Sequence, residues 1–230
     1  MSANIDFILN EISSVCSVCN RNKNEIFLLP VSKTKSLEQM EEVLKLGYFV
    51  FGENKVQEIL QKYDYFKEKV KFHMIGHLQT NKVKYIIDKV ELIHSLDRIS
   101  LLDKLNLEAK KRNLVVNCLV EVNIGKENSK FGVDDEKLFE FLEEVSLRKN
   151  VRVLGLMAIV PYCENPEDTR VYFKKMKYLF ETAKTLSYEN VEMNILSMGM
   201  SNDFKIAIEE GSTLIRIGTL LFGERDYSNK

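Results

Sequence analysis

The segment Ile26-Phe27-Leu28-Leu29-Pro30-Val31-Ser32-Lys33 is an apolar run that ends abruptly in polar residues, and the chain repeats that design. The run is too short for a globular helix, and a strand buried on both faces, as in a parallel sheet, has this composition. Similar runs occupy Tyr48 to Phe51, Phe72 to Ile75, Val90 to His94, Val115 to Ile124, Val151 to Val160, Met193 to Leu196 and Leu214 to Ile217. Longer stretches with apolar residues at helical spacing lie between them, so the order is β then α, repeated. Eight such units close a parallel barrel. A chain of 230 residues allows about 29 per unit, enough for a strand, a helix and two short loops. The expected architecture is a single-domain (β/α)8 TIM barrel over residues 1–230, with residues 1–22 forming an extra N-terminal helix packed on it.

The helices carry their own boundary signals. Ser36 with Gln39 reads as a capping box, Leu37, Met40 and Leu44 form the stripe behind it, and Gly47 supplies the left-handed residue at its end. Buried faces are expected at Val56, Ile59, Leu60 and Tyr63; at Leu138, Phe141, Leu142 and Val145; and at Phe173, Met176, Phe180 and Ala183. In the N-terminal segment Ile5, Ile8, Leu9, Ile12, Val15, Cys16 and Cys19 share one helical stripe. The spacing Cys16-x-x-Cys19 is therefore read as packing, and with Cys118 and Cys163 the expectation is four reduced structural thiols.

Composition excludes several function classes. Lys plus Arg number 33 against 34 Asp plus Glu, for a net charge of −1, so no basic field recruits nucleic acid or an anionic membrane. Runs such as Lys110-Lys111-Arg112 lie on outward helix faces. No apolar stretch approaches a membrane span and the N-terminus lacks a signal pattern, which predicts a cytoplasmic protein. The 3 His are scattered with no carboxylate pair at ligand spacing, so no metal is expected.

In a βα barrel chemistry sits where the strands end, and there the polar residues are informative. The last two runs are followed by Ser197-Met198-Gly199-Met200-Ser201 and by Gly218-Thr219. Barrel enzymes bind phosphate with these two loops; Gly199 and Gly218 let backbone approach an anion, while Ser197, Ser201 and Thr219 offer hydroxyls. Strand alternation puts Leu29, Val31 and Lys33 on one face, so if the apolar pair points inward the lysine does too. Desolvation and a nearby cation such as Arg216 would both favour its neutral, nucleophilic form. A neutral lysine opposite a phosphate site suits a Schiff base with a phosphorylated aldehyde.

Seven segments, in order along the chain, resemble the pyridoxal phosphate homeostasis protein family. They are Val31-Ser32-Lys33-Thr34-Lys35, Phe51-Gly52-Glu53-Asn54, Phe72 to Lys82, Asn128-Ser129-Lys130-Phe131-Gly132, Gly155-Leu156-Met157-Ala158-Ile159, Leu196 to Ser201, and Ile215 to Gly223. The resemblance implies a barrel of the alanine-racemase N-terminal type that holds pyridoxal 5'-phosphate (PLP) as a Schiff base on Lys33. It implies phosphate contacts from Ser197, Ser201 and the Gly218-Thr219 backbone, Arg216 beside the pyridine nitrogen, and Asn54 in the pocket wall. Pro30 departs from the small residue expected there and bears on strand pairing more than on the pocket.

Related racemases add a C-terminal β domain that delivers a second acid/base residue, whereas only 12 residues follow Gly218 here. The expected role is a monomeric carrier and regulator of PLP that passes it to apo-enzymes without substantial catalysis. Two alternatives remain: a PLP-dependent amino-acid racemase using His77, His94 or a tyrosine as second base, and a Schiff-base aldolase acting on a sugar phosphate. Lys35, Lys82 and the Lys126 to Gly132 loop are candidates for noncovalent handling of the cofactor at the rim.

Overall fold

A computed structural model describes residues 1–127 and 131–224; Asn128, Ser129 and Lys130 of the fourth segment lie outside the described residues. The strands are β1 (Phe27–Pro30), β2 (Val50–Glu53), β3 (Lys71–Met74), β4 (Leu92–Leu96), β5 (Val116–Glu121), β6 (Val151–Met157), β7 (Val191–Ser197) and β8 (Leu214–Ile217). They form one parallel sheet in the order β1-β8-β7-β6-β5-β4-β3-β2. This is the eight-stranded barrel that the alternation predicts. Several boundaries move by about two residues; Gly52 and Glu53 lie inside β2, and β6 stops at Met157, three residues short of the expected Val160.

The seam between β1 and β2 is closed by one bridge, Val31 to Gly52, with the Ser32 N–H donating to the Gly52 carbonyl at 3.0 Å. Pro30 accounts for the short seam. Phe27 and Val31 donate their N–H groups toward β8, to Thr213 and Ile217, while Ser32 donates toward β2. Alternation aims the position-30 donor at β2 as well, and proline has none to give.

The helices that cover the sheet are α1 (Ser2–Val18), α2 (Leu37–Lys45), α3 (Val56–Phe66), α4 (Val83–Ile86), α5 (Ile99–Lys111), α6 (Leu138–Ser146), α7 (Arg170–Ala183), α8 (Phe204–Glu209) and α9 (Thr219–Phe222). The capping box is present in both directions: Gln39 N–H donates to Ser36 Oγ and Ser36 N–H to Gln39 Oε1. The expected faces of α6 and α7 are buried. In α3 the buried stripe is Val56, Ile59, Lys62 and Phe66; Leu60 and Tyr63 are only half-buried, and the lysine was not foreseen.

Helix α1 packs through Ile5, Ile8, Ile12, Val15 and Cys16, and Asn4 Nδ2 donates to the Leu221 carbonyl at the end of α9. Leu9 is exposed and Cys19 half-buried, because both lie at the margin of a stripe narrower than expected. All four thiols are free, but Cys163 lies in a cavity wall and not in the core. No helix of the described residues is long and apolar enough to cross a membrane.

The core has two compartments. Between sheet and helices lies one large apolar cluster that includes Phe51, Phe72, Phe173 and Leu101. Inside the barrel are two small clusters, Leu29, Val31, Ile75 and Leu214, and Leu92, Leu119 and Met157. The remaining interior is polar: Arg216 is paired in register with Leu29, Ser197 with Met157, and His73 with Leu92. Register partners share a face of the sheet, so these side chains point inward.

Candidate functional site

A cavity of about 390 Å³ opens at the C-terminal ends of the strands, within the range of small-molecule sites. Its wall includes Lys33, Asn54, Ser201, Arg216, Gly218 and Thr219 together with the apolar Val31, Ile75 and Met200. Six of the eight residues predicted from sequence therefore meet in one wall. Lys33 follows Val31 at the top of β1 and is half-buried, as alternation requires.

The loop that presents Lys33 is held from below. Lys62 Nζ donates to the Ser32 carbonyl at 2.8 Å and to Glu53 Oε1 at 2.6 Å, and Ser32 Oγ donates to the same carboxylate oxygen at 2.6 Å. Glu58 Oε2 accepts from the Thr34 N–H at 2.7 Å, fixing a residue with φ of +64°. Burial pushes the Glu53 carboxyl up, with Lys62 opposing. Sequence reasoning missed Lys62, Glu53 and Glu58 as supports. The available signal was spacing: Lys62 stands three residues after Ile59 and four before Phe66, on the buried stripe.

Arg216 forms the floor. Its Nη1 donates to the Ser197 carbonyl at 2.9 Å and Ser197 Oγ at 2.7 Å, and its Nη2 donates to the Ala158 carbonyl at 2.8 Å. Burial brings its pKa down to about 10, with Asp203 and Glu121 resisting, so the guanidinium stays charged at neutral pH. Glu121 is pushed up to about 7 by burial, reinforced by Asp97 and opposed by Arg216.

The other two predicted residues sit behind the wall. Ser197 is fully buried, and its hydroxyl is taken up by Arg216 and by His94 Nδ1 at 3.2 Å, so it supports the arginine and does not reach the cavity. Gly199 is buried with φ of +92°, and a Cβ there would stand 2.5 Å from the Ala207 Cβ, so it lets α8 approach the strand ends. Ser201 Oγ accepts from the Leu220 N–H at 3.3 Å, which joins the loops that follow β7 and β8.

Lys35 is not a free rim cation. It donates to the carbonyls of Gly223 and Glu224 at 3.2 and 3.1 Å, closing the end of α9. Lys82 lies over the Tyr85 ring. Of the candidate second bases, His94 is fully buried with its pKa well below the ordinary value, through burial first and then His73 and Arg216. His77 contacts Asp97 Oδ2 at 3.1 Å, stacks on Phe131, and is outside the cavity wall. Tyr162 is in the wall and largely exposed.

The donor set fits PLP. Asn54 Oδ1 is buried without a hydrogen-bond partner, an acceptor that the protein leaves unanswered beside the cavity. Gly76 permits this placement, since a Cβ there would lie 2.5 Å from the Asn54 carbonyl oxygen. A primary amine, a buried guanidinium, an orphaned amide oxygen and a Ser-Gly-Thr loop pair correspond to an aldehyde, a ring nitrogen, a hydroxyl and a phosphate.

Comparison with known proteins agrees with the fold. The family model of the alanine racemase N-terminal domain matches residues 17–226. The pyridoxal phosphate homeostasis protein of Aquifex aeolicus is 50% identical over 221 residues, 96% of each chain. PipY of Synechococcus elongatus, solved with PLP bound, superposes with a TM-score of 0.80 at 28% identity, covering 93% of this chain and 100% of that one. An alanine racemase of Clostridium difficile has the same barrel at a TM-score of 0.74 and 14% identity; 99% of this chain covers 57% of that one. On these matches the chain belongs to the pyridoxal phosphate homeostasis protein family, within the wider alanine racemase N-terminal domain family.

Proposed function

We propose that the protein is a single PLP-binding barrel that buffers this vitamin B6 cofactor in the cytoplasm and hands it to apo-enzymes, acting as a monomer without substantial catalysis. The observation that carries this reading is the gathering of Lys33, Asn54, Ser201, Arg216, Gly218 and Thr219 in one wall. Lys33 would hold the aldehyde reversibly through its amine, as a Schiff base. Ser201 with the Gly218-Thr219 backbone would hold the phosphate, and the Asn54 amide oxygen would accept from the ring hydroxyl. When bound, the cofactor supplies a reactive aldehyde conjugated to a pyridine ring.

The residues around it favour retention over turnover. Arg216 has donors only and stays protonated, so it would give the ring nitrogen a hydrogen bond without surrendering its proton. A ring nitrogen held unprotonated is a weak electron sink, which suits a carrier. His77 and His94 are both engaged away from the cavity.

The test is the absorbance spectrum of the purified protein and of Lys33→Ala, with and without added PLP, followed by borohydride reduction and peptide mapping. The wild type should be yellow and carry a pyridoxyl group on Lys33. A colourless protein that gains no imine band with added PLP overturns the reading. A racemase reading keeps one supporting observation, Tyr162 in the wall. It requires solvent deuterium to enter the α-position of an amino acid faster than free PLP achieves.

A further inference from the structure

Arg216 begins a line of polar groups that crosses the barrel interior. Arg216 Nη1 meets Ser197 Oγ at 2.7 Å, Ser197 Oγ meets His94 Nδ1 at 3.2 Å, and His94 Nε2 meets His73 Nδ1 at 3.0 Å. His73 Nε2 then faces Glu91 Oε2 at 3.9 Å, at the N-terminal end of the strands. The line passes from β8 and β7 to β4 and β3. Ser197 and His94 are fully buried, and Arg216 and His73 nearly so. Barrel interiors are usually filled with branched apolar side chains, so four buried polar residues in a row are costly unless each is satisfied.

The chemistry of the first member sets the direction of every bond. A guanidinium has donors and no acceptor, so the Ser197 oxygen must accept from Arg216. A hydroxyl can accept twice, but among the described residues the only other group bonded to Ser197 Oγ is His94 Nδ1, so the buried Ser197 proton is satisfied when that nitrogen is bare and accepts it. The His94 proton lies on Nε2 and is given to His73 Nδ1, which must be bare in turn. The His73 proton lies on Nε2 and faces the Glu91 carboxylate. Both imidazoles are therefore neutral Nε2–H tautomers. The line cannot work as a proton wire to the cavity, because reversing it would require the arginine to accept.

Resting on the reading of the cavity as a PLP site, we propose that His94 and His73 are positioning residues for it: His94, held in its tautomer by donating to His73, accepts the Ser197 proton and so keeps the Ser197 oxygen turned to Arg216. The guanidinium is thereby held by three oxygens at the place where the ring nitrogen would lie. A charged His94 would instead donate to Ser197 and set a second buried cation beside Arg216.

Two measurements test this. Nitrogen-15 NMR of the imidazoles in the full chain, before PLP is added, should show the neutral Nε2–H form for both histidines, with no titration of His94 between about pH 5.5 and 8. An Nδ1–H or titrating His94 overturns the proposal, and this result does not depend on whether PLP binds. In the second, Ser197→Ala and His94→Phe should each raise the Kd for PLP by about tenfold and shift the bound-cofactor absorbance band. The double variant should be no worse than either, since both act through one contact. Additive losses, or unchanged Kd and spectrum in folded variants, overturn the proposal. Should the wild type fail to bind PLP, the reading of the cavity falls while the tautomer result still judges the line itself.

Discussion

At the scale of single residues, the buried charges carry the most weight. Lys62 and Glu53 are both almost fully buried, and Lys62 also holds the Ser32 carbonyl next to Lys33. Lys62→Met leaves Glu53 buried without its cation and should lower stability by about 3–5 kcal/mol, read from urea unfolding. Adding Glu53→Gln should restore part of the loss, because the uncompensated charge is then gone. Glu121 makes the protein pH-sensitive. Its pKa in the folded state is about 7, against about 4.3 in an unfolded chain. Between those values the folded state binds more protons than the unfolded one, so stability falls as pH rises through the window. The expected loss from Glu121 is on the order of 3 kcal/mol between pH 4 and 8. Glu121→Gln should flatten the urea midpoint against pH, and an unchanged slope would place the sensitivity elsewhere.

At the scale of elements, helix ends were legible and element interiors less so. The Ser36 and Gln39 box and the left-handed Gly47 stand where local chemistry puts them, because capping depends on residues within one turn. The approach of α8 to β7 and β8 depends on residues distant in sequence. Gly199→Ala would set a Cβ 2.5 Å from that of Ala207 and oppose a φ of +92°. A loss of about 2–4 kcal/mol is expected. Gly199→Ala with Ala207→Gly should recover the steric share and leave the backbone share, two contributions that thermal denaturation of the set separates. The bridge-only seam of β1 and β2 follows from Pro30, whose missing donor was visible from the start, although its direction was not.

At the scale of the whole molecule, α1 ties the start of the chain to the elements next to the loops after β7 and β8. Ile8 and Ile12 are buried, Asn4 bonds to Leu221, and Arg21 donates to the carbonyls of Ile208 at 2.6 Å and Ser212 at 2.8 Å. Ile8→Ala with Ile12→Ala should cost about 4–8 kcal/mol together if the two sites are additive. It should also weaken PLP retention, since α8 follows Ser201 and α9 begins at Thr219. Unchanged PLP affinity in a destabilised but folded variant would confine α1 to a packing role.

Periodicity and strand ends were sufficient for eight βα units, the inward Lys33 and the loops at Ser201, Gly218 and Thr219, because each is a consequence of local spacing. The division of labour among polar residues was not legible. Ser197 and Ser201 are the same residue type four positions apart, yet one is closed over by Arg216 and His94 while the other faces the cavity. Spacing puts Lys62 on the buried stripe of α3, but its partners are decided only when the loop carrying Ser32 is folded over it, and Glu53 waits for the same closure. Hydrogen-bond partners separated by twenty to a hundred residues come together only when the sheet curls into a barrel, and burial then decides which of them stay charged.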